Sequence, residues 1–106
     1  MFRYLVVDAM ISGTGIRDAV ESEYIEPFDL GLPSEFVERL GSWLRNYENE
    51  HSWGYPNVDK IKALDSEGIE IATALARLLP DSKVTYFSDA TLVTTMIDLS
   101  RMPTEL

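Results

Sequence analysis

The chain's single histidine, His51, follows two acids, Glu48 and Glu50, closely enough to suggest a metal-ligand cluster. Structural zinc sites combine several histidine or cysteine ligands at defined spacings, and this chain has no cysteine. With one imidazole, both carboxylates would have to converge on it from a loop. We therefore interpret the three residues as the solvated end of a helix and predict neither a metal site nor a cofactor.

The same composition narrows the choice of catalytic chemistry. Without cysteine there is no thiolate nucleophile and no disulfide, and one histidine gives a Ser-His-Asp arrangement little support. A pair of carboxylates would suffice for glycosidase chemistry, but an acidic chain always contains such pairs. We expect no enzymatic activity, and a hydrolase that uses unrecognised carboxylates is the weakest of three functional hypotheses.

Two features near the N-terminus resemble parts of known sites. Asp8 follows an apolar run, where strand-end aspartates can serve as nucleophiles or magnesium ligands, but no second acid follows two residues later. Gly13-Thr14-Gly15 resembles the start of a phosphate-binding loop, but Asp18 stands where a third glycine would be needed and would repel a phosphate. We interpret Asp8 as a strand terminator and the glycines as a structural turn.

Charge is the most informative property of this sequence. The 106 residues carry 18 acids against 9 lysines and arginines, a formal net charge of -9. Residues 18–50 contain nine of those acids and only two arginines, which gives this third of the chain -7 of the total. This concentration predicts a surface that attracts a basic protein, although a solvated acidic face would have the same composition. The predicted partner-binding residues are Asp18, Glu21, Glu23, Glu26 and Asp29, followed by Glu48 and Glu50, which helix packing can turn away.

The net charge also excludes some partners. A charge of -9 repels phosphate backbones and anionic headgroups, so we expect no direct binding to nucleic acid or to a membrane surface. No apolar run approaches the roughly 20 residues of a membrane-spanning helix, and the N-terminal run meets Asp8 before it could form a signal core. We therefore expect a cytoplasmic protein. The length predicts one domain, residues 1–106.

Hydrophobic patterning predicts the elements that must position these residues. Residues 2–7 have the composition of a strand, and residues 16–25 fit either a second strand or an ordered extended segment. Pro33 is predicted to begin a helix whose apolar face runs from Phe36 to Tyr47, and residues 49–57 are predicted to be a loop. A second apolar stripe runs from Ile61 to Leu79, with Asp65 or Ser66 as a possible cap that would divide it into two helices.

The C-terminal part predicts a β-hairpin. Residues 83–87 and 91–97 are rich in β-branched and aromatic side chains, and residues 88–90 have the length of a hairpin loop. A helix over residues 90–99, capped by Asp89, is the weaker alternative, and residues 102–106 are expected to fray. The predicted fold class is α+β: a small antiparallel or mixed sheet, from N-terminal strands and the hairpin, packed against a central helical pair.

Four aromatic residues lie among or near the acids: Tyr24, Phe28, Trp53 and Tyr55. Large aromatic side chains can anchor interfaces, and they can equally complete the edge of a core. We favour the core position for these four.

Three segments and one helix carry a resemblance to known proteins: Ser12–Asp18, Tyr24–Pro27, Asp29–Leu32, and the helix that contains Leu40, Trp43 and Tyr47. Over residues 4 to about 90 the chain resembles small bacterial proteins that we associate with the immunity proteins of contact-dependent growth inhibition and other polymorphic toxin systems. Such proteins bind and block a cognate toxin domain, very often a nuclease. The resemblance implies a protein-binding function and assigns a role to no individual residue.

The leading hypothesis is therefore an immunity protein, or antitoxin, that neutralises a basic toxin domain with its acidic surface. Its carboxylates would occupy the place of nucleic-acid phosphates in the toxin's groove. The alternative hypothesis is a small acidic regulatory or adaptor module that binds a protein or peptide along an exposed sheet edge.

Overall fold

The computed structural model describes residues 3–10, 12–54 and 57–99. Its elements run in the order β1 (Arg3–Val7), β2 (Ile16–Asp18), a one-turn 3-10 helix (Pro27–Leu30), α1 (Ser34–Ser52), α2 (Val58–Leu78), β3 (Ser82–Phe87) and β4 (Thr94–Met96). The predicted α+β class is confirmed, with strands from both ends of the chain and a helical pair from its middle.

The four strands form one mixed sheet in the order β2-β1-β3-β4. β1 lies in the centre, antiparallel to β2 and parallel to β3, and Leu5 is in register with Val84. β3 pairs with β4 in antiparallel orientation, which makes the predicted C-terminal hairpin. Because β1 and β3 are parallel neighbours, the residues that follow them emerge at the same end of the strands.

The first helix differs from its prediction at both ends. Pro33 has extended backbone angles, φ -65° and ψ 151°, and is the cap that precedes the first helical residue, Ser34. At the other end the helix continues to Ser52, so the loop predicted from residue 49 is shorter. Glu50 is only 6% exposed and packs beside Lys60 of α2, so this last turn is held by a tertiary contact that the local sequence does not report.

The second helix is continuous through Asp65 and Ser66, so the proposed break does not occur. Its cap is Asn57, whose side chain accepts a hydrogen bond of 3.1 Å from the backbone N–H of Lys60. The side chain of Asp65 accepts hydroxyl hydrogen bonds from neighbouring elements, which leaves it no role as a cap.

In the C-terminal hairpin, β4 is shorter than predicted, and no helix forms over residues 90–97. Residues 88–93 make the connection, with Leu92 in the left-handed region at φ 61° and its N–H donating to the Ser88 carbonyl. The segment predicted to fray, residues 102–106, lies outside the described residues.

The core lies between the sheet and the helices. Leu5, Val7, Val84 and Tyr86 point from the sheet toward the helices. The helices contribute a buried set: Phe36, Leu40, Trp43, Tyr47, Ile71, Ala72, Leu75 and Ala76. The Trp43 indole N–H also donates to the Leu64 carbonyl at 2.8 Å, which ties α1 to α2. No helix within the described ranges is long and apolar enough to cross a membrane.

Candidate functional site

The acids predicted to bind a partner begin on a hairpin at the β2 edge of the sheet. The strand β2 continues into a tight turn, and the returning chain bonds back to it: the Asp18 N–H donates to the Glu23 carbonyl at 2.8 Å, and the Ile25 N–H to the Ile16 carbonyl at 2.9 Å. Residues 16–25 are therefore an ordered hairpin. The sequence left a second strand and an ordered extended segment as alternatives for these residues. Both occur, because β2 is a strand of three residues and the chain that returns from the turn is extended.

Asp18 closes the turn of this hairpin with its own side chain. Its Oδ1 accepts the backbone N–H groups of Val20 at 2.8 Å and Glu21 at 2.9 Å. These hydrogen bonds, first that from Glu21 and then that from Val20, lower the pKa of Asp18, and the charge of Arg3 contributes less. Asp18 is thus negatively charged at neutral pH, and its carboxylate also holds the turn.

A buried carboxylate fastens the hairpin to the central strand. Asp8 is fully buried at the end of β1 and accepts the Tyr24 hydroxyl at 2.7 Å on Oδ1 and the Arg17 Nε–H at 3.0 Å on Oδ2. Burial, together with the hydrogen bond to Asp8, raises the pKa of Tyr24, so its hydroxyl stays protonated. Asp8 directly follows the strand, as predicted. Its carboxylate also accepts a hydrogen bond from each of the two arms of the hairpin.

The predicted glycine turn supports the same contact. The Tyr24 ring lies against Gly13, where an added Cβ would come within 2.6 Å of the ring. Between the two glycines, the Thr14 hydroxyl donates to the Ile25 carbonyl at 2.6 Å. The Gly-Thr-Gly segment therefore makes close packing and hydrogen bonds to the hairpin's return.

The structure brings together four of the five leading candidates. Asp18, Glu21, Glu23 and Asp29 line one surface depression of about 240 Å³, together with Arg3, Tyr24, Ile25 and Leu30. Glu26 is exposed and lies outside that lining. Asp18 is partly buried, and the other four side chains are open to solvent. We call residues 18–29, which contain no lysine or arginine, the acidic segment.

The two second-tier candidates are separated from the acidic segment. Both lie in the last turns of α1, and this helix of 19 residues is roughly 28 Å long. Glu48 is exposed, whereas Glu50 is only 6% exposed and lies 3.6 Å from the Lys60 ammonium of α2. The interpretation of this region as a solvated helix end is wrong for Glu50, which faces the interhelical groove.

His51 lies next to Asp89, which is distant from it in the sequence. Its Nδ1 lies 3.7 Å from a carboxylate oxygen of Asp89, in the connection between β3 and β4. Within the part of the chain that the structure describes, no group of three or more acids and histidines is placed to hold a metal ion.

The aromatic residues near the acids are not mainly core residues, contrary to our preference. Phe28 is 87% exposed and Trp53 is 70% exposed, whereas Tyr24 is half-buried against Asp8. Tyr55 lies outside the described residues. Leu30, Leu32 and Leu44 are among the partly buried side chains that pack against the core instead.

A second carboxylate with several hydrogen-bond donors, which the sequence did not lead us to predict, lies between the helices and β3. Asp65 of α2 accepts three hydroxyl groups: Tyr86 at 2.6 Å, Ser88 at 2.8 Å and Tyr47 at 2.9 Å. The Tyr47 hydroxyl in turn accepts the Ala90 N–H at 3.1 Å. One signal was available, since Asp65 lies four residues after Ile61 and three before Gly68, within the apolar stripe of α2.

The geometry of this second cluster favours a structural role. Tyr47, Tyr86 and Ser88 are at most 3% exposed, and every buried side-chain nitrogen or oxygen in the described ranges has a hydrogen-bond partner. Burial raises the pKa of both tyrosines, and the hydrogen bond to Asp65 contributes in the same direction. The cluster joins α1, α2 and the end of β3.

Comparison with known proteins adds no relative: no family model, curated protein or solved structure matches this chain.

Proposed function

We propose that the protein is an immunity protein that binds and neutralises a basic toxin domain in the bacterial cytoplasm, with a nuclease as the expected class of toxin. The observation that carries the proposal is the acidic segment. It presents three carboxylates on a hairpin that hydrogen bonds fasten to the sheet and two more on the turn that follows, with no lysine or arginine within the segment itself. The resemblance to immunity proteins agrees with this arrangement.

The arrangement suits a basic partner for two physical reasons. Grouped like charges create a field that accelerates encounter with a surface of opposite charge. A segment whose backbone is already ordered loses less conformational entropy on binding than a disordered acidic loop would lose. In a nuclease the complementary surface is the groove that binds phosphates, so occupation of that groove by carboxylates would block the substrate.

The direct test is co-purification of the tagged protein with the product of the gene immediately upstream, followed by binding titrations at low and high salt. We expect a tight complex that salt weakens, and loss of the partner's toxicity on co-expression. Absence of both a complex and protection would overturn the immunity function.

A pair of double variants tests the acidic segment itself. Glu21→Lys/Glu23→Lys changes two exposed acids of the hairpin tip and leaves in place Asp18, whose side chain holds the turn. Glu38→Lys/Asp59→Lys makes the same change of net charge on exposed positions of α1 and α2. The first should weaken binding at least tenfold and reduce its salt dependence, and the control should change affinity less than threefold. Equal effects would contradict the assignment of the surface.

One observation favours the adaptor function as a second candidate. β4 lies at the edge of the sheet, residues 91–97 carry no charged side chain, and Leu92, Val93 and Met96 are exposed. Uncharged edge strands can accept a further strand from another chain. Thr94→Lys/Met96→Lys should abolish binding to a partner that uses this edge and should leave binding through the acidic segment intact.

A further inference from the structure

Phe28 is the most exposed large apolar side chain in the described ranges, at 87%, and it lies inside the acidic segment between Glu26 and Asp29. Most exposed apolar side chains occur singly and need no explanation. Phe28 differs because its backbone is fixed on both sides and because an acid, Asp29, directly follows it in a charged segment.

The backbone around Phe28 holds the ring away from the core. Pro27 is buried and begins the 3-10 helix, and the Asp29 N–H donates to the Glu26 carbonyl at 2.9 Å. Gly31, at φ 69°, ends the turn with its N–H donating to the Phe28 carbonyl at 3.1 Å. A side chain larger than hydrogen is strained at that φ, so the glycine closes the turn at low cost. The exposure of the ring is therefore set by an ordered turn.

The residues that follow Phe28 in the 3-10 helix lie beside acids of the hairpin. Asp29 and Leu30 of the 3-10 helix line the same depression as Glu21 and Glu23 of the hairpin. An aromatic ring with charged groups around it is the usual composition of an interface anchor, because the ring is desolvated on binding while the rim stays polar.

We propose that Phe28 is the apolar anchor of this surface and that the partner carries an apolar pocket bordered by lysine or arginine side chains. The inference rests on the proposed function and specifies the partner's surface. The acids select the occupant, because a pocket bordered by acidic groups would be repelled by the acidic segment.

The test compares Phe28→Ala with Trp53→Ala in titrations and dissociation kinetics with the toxin partner. Trp53 is a matched control, since it is also exposed, at 70%, and follows the far end of α1. Phe28→Ala should weaken binding roughly 30-fold, mainly through faster dissociation, with an unchanged salt slope. Phe28→Leu should restore most of the affinity, and Trp53→Ala should change it less than threefold.

Because the ring is exposed, Phe28→Ala should unfold at the wild-type temperature, so lost binding would not reflect lost folding. If Phe28→Ala binds within threefold of wild type while Glu21→Lys/Glu23→Lys fails, the anchor is wrong and the proposed function stands. The anchor is equally wrong if both alanine variants lose the same affinity. If the wild-type protein forms no complex with a basic toxin, both proposals fail.

Discussion

The Tyr24 hydroxyl donates a 2.7 Å hydrogen bond to the fully buried Asp8 carboxylate, across sixteen residues of chain. This contact joins the return of the acidic hairpin to the end of the central strand. On its other oxygen the same carboxylate accepts Arg17 of β2. Both strands of the hairpin are therefore attached to one buried charge.

Replacement of Tyr24 by phenylalanine tests that attachment. Tyr24→Phe keeps the ring against Gly13 and removes the hydroxyl, so that Oδ1 of Asp8 loses its short hydrogen bond and keeps, among the described residues, the weaker one from the Met10 N–H at 3.4 Å. A hydrogen bond to a charged group contributes about 1.5–3 kcal/mol, so we expect the free energy of unfolding to fall by about 2 kcal/mol in urea titrations. The same substitution in an Asp8→Asn background should cost less, and additive effects would show that the two groups are not coupled.

The Asp65 cluster should contribute more to stability than any exposed acid. Asp65→Ala removes the shared acceptor of three nearly buried hydroxyl groups, and each buried group left without a partner costs about 1–3 kcal/mol. We expect a loss of at least about 3 kcal/mol in chemical denaturation. Asp59→Ala, which removes an exposed acid in the first turn of the same helix, should cost at most about 1 kcal/mol. Similar losses for the two variants would refute the structural role.

Local patterns sufficed for the fold class because both helices carry a continuous apolar stripe and β1 has strand composition. The errors occur where tertiary contacts override local propensity. Residues 91–93, two of which are β-branched, predict a strand, but Leu92 occupies the left-handed region in a turn that bonds back to Ser88. Glu50 packs into the interhelical groove beside Lys60 and extends α1 beyond the predicted loop boundary.

One part of the candidate site could be predicted from the sequence, and another part could not. The concentration of acids in residues 18–29 is a property of the sequence and was visible in it. The attachment of that segment was not, because the contact between Asp8 and Tyr24 depends on the pairing of β1 with β2, which no local periodicity reports. The exposure of Phe28 depends on a turn closed by Gly31.

Alkaline pH should destabilise the protein through its buried tyrosines. Burial raises the pKa of Tyr86 above its ordinary value, so the folded state keeps its hydroxyl protonated while the unfolded chain releases the proton from about pH 10. The stabilising effect is therefore complete below about pH 10 and decreases as the pH rises toward the folded-state pKa. Each such tyrosine should lower the free energy of unfolding by about 1.4 kcal/mol per pH unit above that point.

Urea titrations between pH 8 and 11.5 measure this slope. Tyr86→Phe removes one of the ionising groups, so its slope above pH 10 should be shallower than that of the wild type by about one proton. An equal slope in both proteins would mean that Tyr86 ionises alike in the folded and unfolded states.

Substitution of Gly68 is expected to destabilise the protein for a steric reason. It lies inside α2, where alanine normally stabilises a helix by up to about 1 kcal/mol relative to glycine. Here an added Cβ would overlap the Tyr86 ring, which reaches over Gly68 to Asp65. Gly68→Ala should therefore lower the free energy of unfolding by about 1–3 kcal/mol, the usual cost of overpacking. In a Tyr86→Ala background, where the ring is absent, the same substitution should become neutral or stabilising, and a loss that persists there would locate the clash elsewhere.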